Sequence, residues 1–112
     1  MRQNTIDQVL AQAKRIHFIG IGGSGMCPIA EILHSEGFDV SGSDNNESET
    51  LSRVRALGIP VQMGQRAENI DGADMIVFTA ALLPDNPELV AAKKSGIPTF
   101  ERSKLLKQLL PK

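Results

Sequence analysis

Four glycines within six residues constrain the fold of this sequence more than any other feature. They end an apolar run and open a helix-like pattern in segment 15–26, which reads RIHFIGIGGSGM. Gly20, Gly22 and Gly25 have the G-x-G-x-x-G spacing, and Gly23 adds a fourth glycine. This pattern predicts a strand that turns sharply into a helix, whose first N–H groups and positive dipole end suit a phosphate. Since glycine has no Cβ, the backbone can also approach a ligand closely. The segment therefore predicts a nucleotide-diphosphate site.

A glycine between a helical pattern and a short apolar run recurs at 36–40, 57–61 and 95–100. Each occurrence is typical of a helix that ends just before a β-strand. The predicted strands are about 15–20, 38–43, 60–63, 74–79 and 97–100. The predicted helices are about 5–14, 25–36 and 47–57, a single turn at 66–69, a helix that begins at 85–88, and a last helix that Ser103 caps and that carries Leu110.

Strands that alternate with helices indicate one α/β domain over residues 1–112. We expect a Rossmann-like three-layer fold with a five-stranded parallel sheet. Right-handed crossovers with one reversal of direction predict the strand order 3-2-1-4-5. The reversal lies beside strand one, so the ligand crevice should open at the glycine turn.

The composition excludes several classes of function. A net charge of −1 and a pI near 6.1 argue against a basic nucleic-acid surface, and four aromatic residues, all Phe, leave little for base stacking. Cys27 is the only cysteine, so no internal disulfide can form. No apolar run approaches the roughly 18 residues of a membrane span. We expect a soluble cytoplasmic protein.

Two polar side chains are predicted to reach the crevice. Asp44 ends the second strand, where its carboxylate can accept hydrogen bonds from ribose hydroxyls or can cap the following helix. Thr79 ends the fourth strand, where it can contact a ligand or satisfy local backbone. Both alternatives stay open for each residue.

The remaining candidates favour structural roles. His17 lies within the first strand and should pack with a local partner, and His34 lies near a helix C-terminus, which favours a cation. Cys27 lies in the first turn of a helix, where a thiol pKa can fall, but it fits better as a small packing residue. Arg102, Lys104 and Lys107 are expected on a solvated face. We predict no catalytic residue and no metal ligand. The sequence contains no G-x-x-x-x-G-K-[ST] phosphate loop.

Beyond the glycines, the sequence resembles the N-terminal domain of the Mur ligase family. The likeness covers about residues 15–110. It rests on segments that follow one another in order: HFIGIGGSGM at 17–26, IAEIL at 29–33, VSGSD at 40–44, LGI at 57–59, AENI at 67–70, GAD at 72–74, DNPEL at 85–89 and GIP at 96–98. A series of motifs in the same order is far more specific than the glycine spacing alone.

The resemblance implies an ATP-dependent, Mg²⁺-requiring ligation in peptidoglycan biosynthesis. The lactyl carboxylate of UDP-N-acetylmuramate is activated as an acyl phosphate and is then attacked by the amine of L-alanine. Family members have three domains, which hold the UDP-sugar, ATP and the amino acid in turn. This chain matches the first, so the resemblance implies an excised substrate-binding domain that lacks the central ATPase and C-terminal domains and is inactive alone.

The same resemblance implies roles for individual residues. The backbone N–H groups of five consecutive residues would cradle the UDP phosphates: Gly22, Gly23, Ser24, Gly25 and Met26. Asp44 would meet the uridine, and Thr79 and Ala80 would flank it. The sequence departs from the family pattern at Gln65, where many members have His, and at 79–80, where many have a Ser pair.

Other interpretations of the chain stay open. A close relative in the family attaches a recycled murein tripeptide in place of L-alanine. An NAD-binding domain of a dehydrogenase or a nucleotide-sensing domain would also use a glycine turn. A third possibility is an interaction module that has lost its ligand.

Overall fold

The computed structural model describes residues 6–23, 25–80, 82 and 84–109. The strands are β1 (Arg15–Ile19), β2 (Asp39–Asp44), β3 (Val61–Met63), β4 (Met75–Phe78) and β5 (Thr99–Glu101). The helices are α1 (Ile6–Gln12), α2 (Met26–Ser35), α3 (Glu49–Ala56), α4 (Pro87–Ser95) and α5 (Arg102–Leu109), and a 3-10 helix spans Ala67–Ile70. Every predicted element is present, with boundaries close to those expected. Residue 5 and Leu110, which the predictions included, lie outside the described residues.

The five strands form one parallel sheet in the order β3-β2-β1-β4-β5, which confirms the predicted topology. β1 is central, and Ile19 at its end lies opposite Ser43 of β2 on one side and Phe78 of β4 on the other. The carboxyl ends of these three strands therefore meet at the same edge of the sheet. This is the edge at which doubly wound sheets bind ligands.

Helices cover both faces of the sheet, in the three layers expected. The larger core lies between the sheet and α1, α2, α3 and α5; Phe18, Leu33 and Leu105 are fully buried in it. The smaller core lies under α4 and the 3-10 helix, where Ile19, Ile76 and Leu89 pack. Since consecutive strand residues point to opposite faces, β4 is apolar on both faces, whereas β1 is apolar on the face of Ile16 and Phe18 and carries the buried His17 beside Ile19 on the other.

Two prolines explain why β3 and β5 begin later than predicted. Pro60 and Pro98 have no N–H to donate to a neighbouring strand. Their carbonyls nevertheless accept from Gly42 and Ile76, at 3.1 and 2.9 Å. Each strand therefore begins just after its proline, at Val61 and at Thr99.

The predicted cap of the last helix is wrong. Ser103 lies inside α5, and the preceding Glu101 carboxylate accepts from the Ser103 backbone N–H at 3.2 Å and also from its hydroxyl. A carboxylate just before a helix satisfies a first-turn donor and favours the positive dipole end. These hydrogen bonds hold the pKa of Glu101 below its ordinary value, with the Ser103 hydroxyl as the main cause.

None of the helices in the described part of the chain is both long and apolar enough to cross a membrane.

Candidate functional site

The glycine turn connects β1 to α2 at the carboxyl edge of the sheet. The N–H groups of Gly20 and Ile21 both donate to the Ser43 carbonyl, at 2.8 and 2.9 Å, which ties the turn to the end of β2. Within the turn, the Gly23 N–H donates to the Gly20 carbonyl at 2.8 Å. The turn is therefore a hydrogen-bonded structure and lies beside the strand end that carries Asp44.

The N-terminus of α2 has no side-chain cap. Gly25 is the N-cap residue in the left-handed conformation, with φ of 79°, and accordingly offers no side-chain acceptor. An L-residue with a Cβ adopts this conformation at a cost, so glycine is required here. Because no side chain neutralises the first helical N–H groups, the positive end of the α2 dipole remains available to an anion.

Asp44 binds the glycine turn directly. Its Oδ2 accepts from the Gly22 N–H at 2.9 Å, and its Oδ1 accepts from the N–H groups of Asn45 and Asn46 at 2.8 and 3.1 Å. A Cβ on Gly22 would lie 2.9 Å from Oδ2, so a side chain there would push the carboxylate away. The alternative that Asp44 caps the next helix is wrong, since Ser48 caps α3.

Several amides expected to cradle the phosphates already donate within the protein. Gly22 donates to Asp44, Gly23 to the Gly20 carbonyl, and Met26 to the Gly23 carbonyl at 3.1 Å. Ser24, which was also expected in the cradle, lies outside the described residues. A phosphate bound here would share or replace these hydrogen bonds, and the cradle itself stays a prediction.

An amide cluster that the sequence analysis missed lies next to the turn. Gln65 Oε1 accepts from Asn45 Nδ2 at 3.0 Å and from Asn86 Nδ2 at 2.5 Å, and the Gln65 backbone N–H donates to Asn45 Oδ1 at 3.1 Å. Because Gln65 Oε1 accepts two hydrogen bonds, the orientation of the side-chain amide is fixed. Its Nε2 faces the turn and lies 3.7 Å from the position of a Cβ on Gly20. Asn45, Gln65 and Asn86 each lie near the end or the start of a predicted strand or helix, and this position is the sequence signal that could have indicated the cluster.

Thr79 and Ala80 lie at the crevice, as expected from the end of β4. Thr79 Cγ2 lies 3.8 and 4.0 Å from the positions that a Cβ on Gly20 and on Gly23 would take. Ala80 is exposed, and its backbone N–H donates to the Glu101 carboxylate. The structure brings Thr79 to the turn, and the contact of either residue with a uridine stays a prediction.

The expectation of a solvated basic face is wrong for Arg102. Its guanidinium packs on the glycine turn, with Nη1 3.0 Å from the position of a Cβ on Gly25. Lys104 is exposed, as expected, and the Lys107 side chain lies outside the described part of the structure. The sequence carried no signal for this difference. The position of Arg102 depends on tertiary packing, because α5 begins directly after β5 and its first turn lies next to the N-terminus of α2.

His17 belongs to a buried polar network centred on Glu88. Its Nε2 lies 2.5 Å from Glu88 Oε2, which also accepts from the Ser43 hydroxyl at 2.9 Å. Asn69 Nδ2 donates to the other Glu88 oxygen at 3.0 Å, and His17 Nδ1 is hydrogen-bonded to Ser41 Oγ at 2.9 Å. The predicted local partner is therefore wrong, since Glu88 is 71 residues away. The network joins β1 and β2 to α4.

Cys27 is a packing residue, as the sequence favoured, and not an activated thiol. The side chain is 5% exposed, and its Sγ donates to Glu31 Oε1 at 3.5 Å. Burial is the main cause that raises the pKa of the Cys27 thiol, and the Glu31 carboxylate adds to it. The lowered pKa that a first-turn position allows is therefore overridden by desolvation. His34 lies in the last turn of α2, as expected.

One cavity lies at the opposite edge of the sheet. It has a volume of about 500 Å³ and is lined by α1 and by the residues that precede β4 and β5, among them Asp74 and Pro98. Ligands of doubly wound sheets bind at the carboxyl ends of the strands, so this amino-edge cavity does not displace the glycine turn as the candidate site. Among the described residues, no cluster of three or more His, Cys, Asp or Glu could hold a metal ion.

Comparison with known proteins connects this geometry to one family. The sequence profile described as Mur ligase family, catalytic domain, matches residues 15–112. A UDP-N-acetylmuramate–L-alanine ligase from Legionella pneumophila (strain Corby) is 48% identical over 101 residues, which are 90% of this chain and 22% of that protein. The chain thus spans about a fifth of the curated relatives that it matches.

Solved structures show the same similarity. A UDP-N-acetylmuramate-alanine ligase from Thermotoga maritima superposes with a TM-score of 0.79 at 38% identity, over 84% of this chain and 22% of that one. A UDP-N-acetylmuramate:L-alanyl-γ-D-glutamyl-meso-diaminopimelate ligase from Neisseria meningitidis gives a TM-score of 0.78 at 32% identity, over 87% and 31% of the two chains.

Proposed function

The chain belongs to the Mur ligase family, and from that premise we propose that it is the UDP-N-acetylmuramate-binding domain of a ligase that joins L-alanine to this UDP-sugar. The observation that carries the proposal is the family match over residues 15–112, because it includes the glycine turn, Asp44 and Thr79. The 48% identity to a UDP-N-acetylmuramate–L-alanine ligase supports this member of the family.

In this proposal the diphosphate of UDP lies at the N-terminus of α2. The backbone N–H groups of the turn receive it: Gly22, Gly23, Ser24, Gly25 and Met26. The uncapped start of α2 supports the assignment, because an anion there compensates the helix dipole. Asp44 would accept from the uridine, and Thr79 and Ala80 would flank it. An ionised carboxylate offers roughly four acceptor positions, and backbone N–H groups occupy three at Asp44.

ATP, Mg²⁺ and L-alanine are assigned to other parts of the ligase. The sequence has no G-x-x-x-x-G-K-[ST] phosphate loop, and the described residues offer no cluster of metal ligands. These residues therefore do not fit an ATP–Mg²⁺ site. We propose that the central ATPase and C-terminal domains supply them, and that this domain alone has no ligase activity.

The proposal is tested by titrating the ¹⁵N-labelled chain with UDP-N-acetylmuramate, UDP and NAD⁺ and following amide shifts. The first two ligands should shift resonances of the turn and of Asp44, with weak affinity because other domains would help to enclose the sugar. NAD⁺ should bind less tightly than UDP. Tighter binding of NAD⁺, or no response to either UDP ligand, would contradict the proposal.

A second candidate is a ligase that takes a murein tripeptide in place of L-alanine. The 32% identity and TM-score of 0.78 to the Neisseria meningitidis ligase favour it. Both candidates bind the same UDP-sugar, so the titration supports either. Incorporation of labelled L-alanine by the full-length ligase, compared with incorporation of the tripeptide, separates them.

A further inference from the structure

Arg102 occupies an unusual position against the glycine turn. It is the first residue of α5 and follows β5 at the carboxyl edge of the sheet. A Cβ on Gly25 would lie 3.0 Å from Nη1, 3.1 Å from Cζ and 3.3 Å from Nε, so the guanidinium covers the N-cap of α2. The residue is half-buried, and its Nε is buried with no hydrogen-bond partner among the described residues.

The charge of Arg102 is compensated only in part, by Coulomb attraction to the Glu101 carboxylate. No described ion pair includes it, and the adjacent Glu101 carboxylate accepts from the Ser103 N–H and hydroxyl and from the Ala80 N–H. Arg102 also lies beside the positive end of α2 and at the positive end of its own helix. A cation at a helix N-terminus is unfavourable, and a buried donor without an acceptor has a desolvation cost.

An anion at the glycine turn would remove both costs. It would accept from the buried Nε and compensate the guanidinium and the two helix ends together. The planar guanidinium presents a fork of N–H donors whose geometry matches phosphate oxygens. The glycine at position 25 is what lets the guanidinium approach the turn this closely, since a Cβ there would lie in contact with three of its atoms.

We propose that Arg102 is a direct ligand of the diphosphate bound at the glycine turn, its guanidinium donating to non-bridging phosphate oxygens. This inference rests on the proposed function, which supplies the diphosphate. It makes the first residue of α5 part of the site and makes the site selective for ligand charge. UDP should bind more tightly than UMP, and UMP more tightly than uridine, largely because of this side chain.

The test compares Arg102→Gln with Lys104→Gln, an exposed residue of the same helix that loses the same charge. Dissociation constants for UDP, UMP and uridine are measured by calorimetry or NMR with the 112-residue chain. Arg102→Gln should weaken UDP binding about 10- to 100-fold, the range expected for a lost charge-assisted hydrogen bond. Uridine affinity should change less than about threefold, and Lys104→Gln should leave UDP affinity within about twofold.

Two outcomes separate this inference from the proposed function. If the unmodified chain does not bind UDP, the proposed function and this inference both fail. If it binds UDP and Arg102→Gln weakens UDP no more than Lys104→Gln, or weakens uridine equally, only the role of Arg102 fails. Should Arg102→Gln not fold, Arg102→Lys keeps the charge without the fork and should weaken UDP about three- to tenfold; unchanged affinity would also overturn the inference.

Discussion

At the residue scale, Asp44 shows how one side chain can build a site before any ligand binds. Its two oxygens hold three backbone N–H groups, one in the glycine turn and two after β2. The sequence predicted Asp44 as a ligand of the substrate. The structure adds that the same carboxylate positions the turn, and the close approach of Oδ2 to Gly22 explains why a glycine stands there.

We therefore expect Asp44→Ala to destabilise the protein by about 1–3 kcal/mol, because it leaves three partly buried or exposed N–H groups without their acceptor. Asp44→Asn keeps one acceptor and should lose less. Urea unfolding monitored by circular dichroism measures both. Asp85→Ala, at an exposed position, is the control and should change stability by less than about 0.5 kcal/mol. Equal stability of Asp44→Ala and the control would show that the turn forms without the carboxylate.

At the scale of elements, the buried Glu88 joins α4 to the sheet. It is fully buried and accepts from His17 of β1, Ser43 of β2 and Asn69 of the 3-10 helix. These hydrogen bonds connect α4 to three other elements. A buried carboxylate needs such partners, since burial of an unpaired charge is costly.

Removal of this carboxylate should be among the most damaging single changes. We expect Glu88→Ala to cost about 3–5 kcal/mol, because His17 Nε2 and the Ser43 hydroxyl lose their buried partner and Asn69 Nδ2 keeps only the Gly64 carbonyl. Glu88→Gln retains an oxygen and should cost less. Chemical unfolding measures the loss, with the exposed Glu36→Ala as control. A loss below about 1 kcal/mol for Glu88→Ala would mean that the network does not couple α4 to the sheet.

At the scale of the whole molecule, carboxylates at both edges of the sheet determine how stability depends on pH. The pKa of Asp74 is lowered from 3.8, first by the Arg15 backbone N–H and then by that of Lys14, which it accepts at 2.9 Å each. The pKa of Glu47 is lowered from 4.5 by its hydrogen bonds to Arg55. The pKa of Glu101 is lowered mainly by its hydrogen bond from the Ser103 hydroxyl. Because the folded-state pKa values are lowered, these ionised carboxylates stabilise the protein at a pH above their ordinary pKa values. This stabilisation is lost as the pH falls through the lowered folded-state pKa values.

Thermal unfolding between pH 6 and pH 3 should therefore show a melting temperature that falls once the pH drops below about 4.5. Asp74→Asn should flatten the part of this decrease that lies below about pH 4. Asp85→Asn, which replaces an exposed carboxyl, should leave the profile unchanged. A profile of Asp74→Asn that is parallel to that of the unmodified chain would refute a pH-dependent role for Asp74.

The sequence by itself determined the layers, the strand order and the position of the glycine turn. Alternating strands and helices with glycine stops are local signals, and right-handed crossovers leave few ways to arrange them, so β3-β2-β1-β4-β5 could be predicted. Only the tertiary structure decided which distant side chains meet: Asp44 with Gly22, His17 with Glu88, and Arg102 with Gly25. The physical reason is that spacing along the chain specifies periodicity and turns. Contacts between residues as far apart as 71 positions depend on the packing of whole elements.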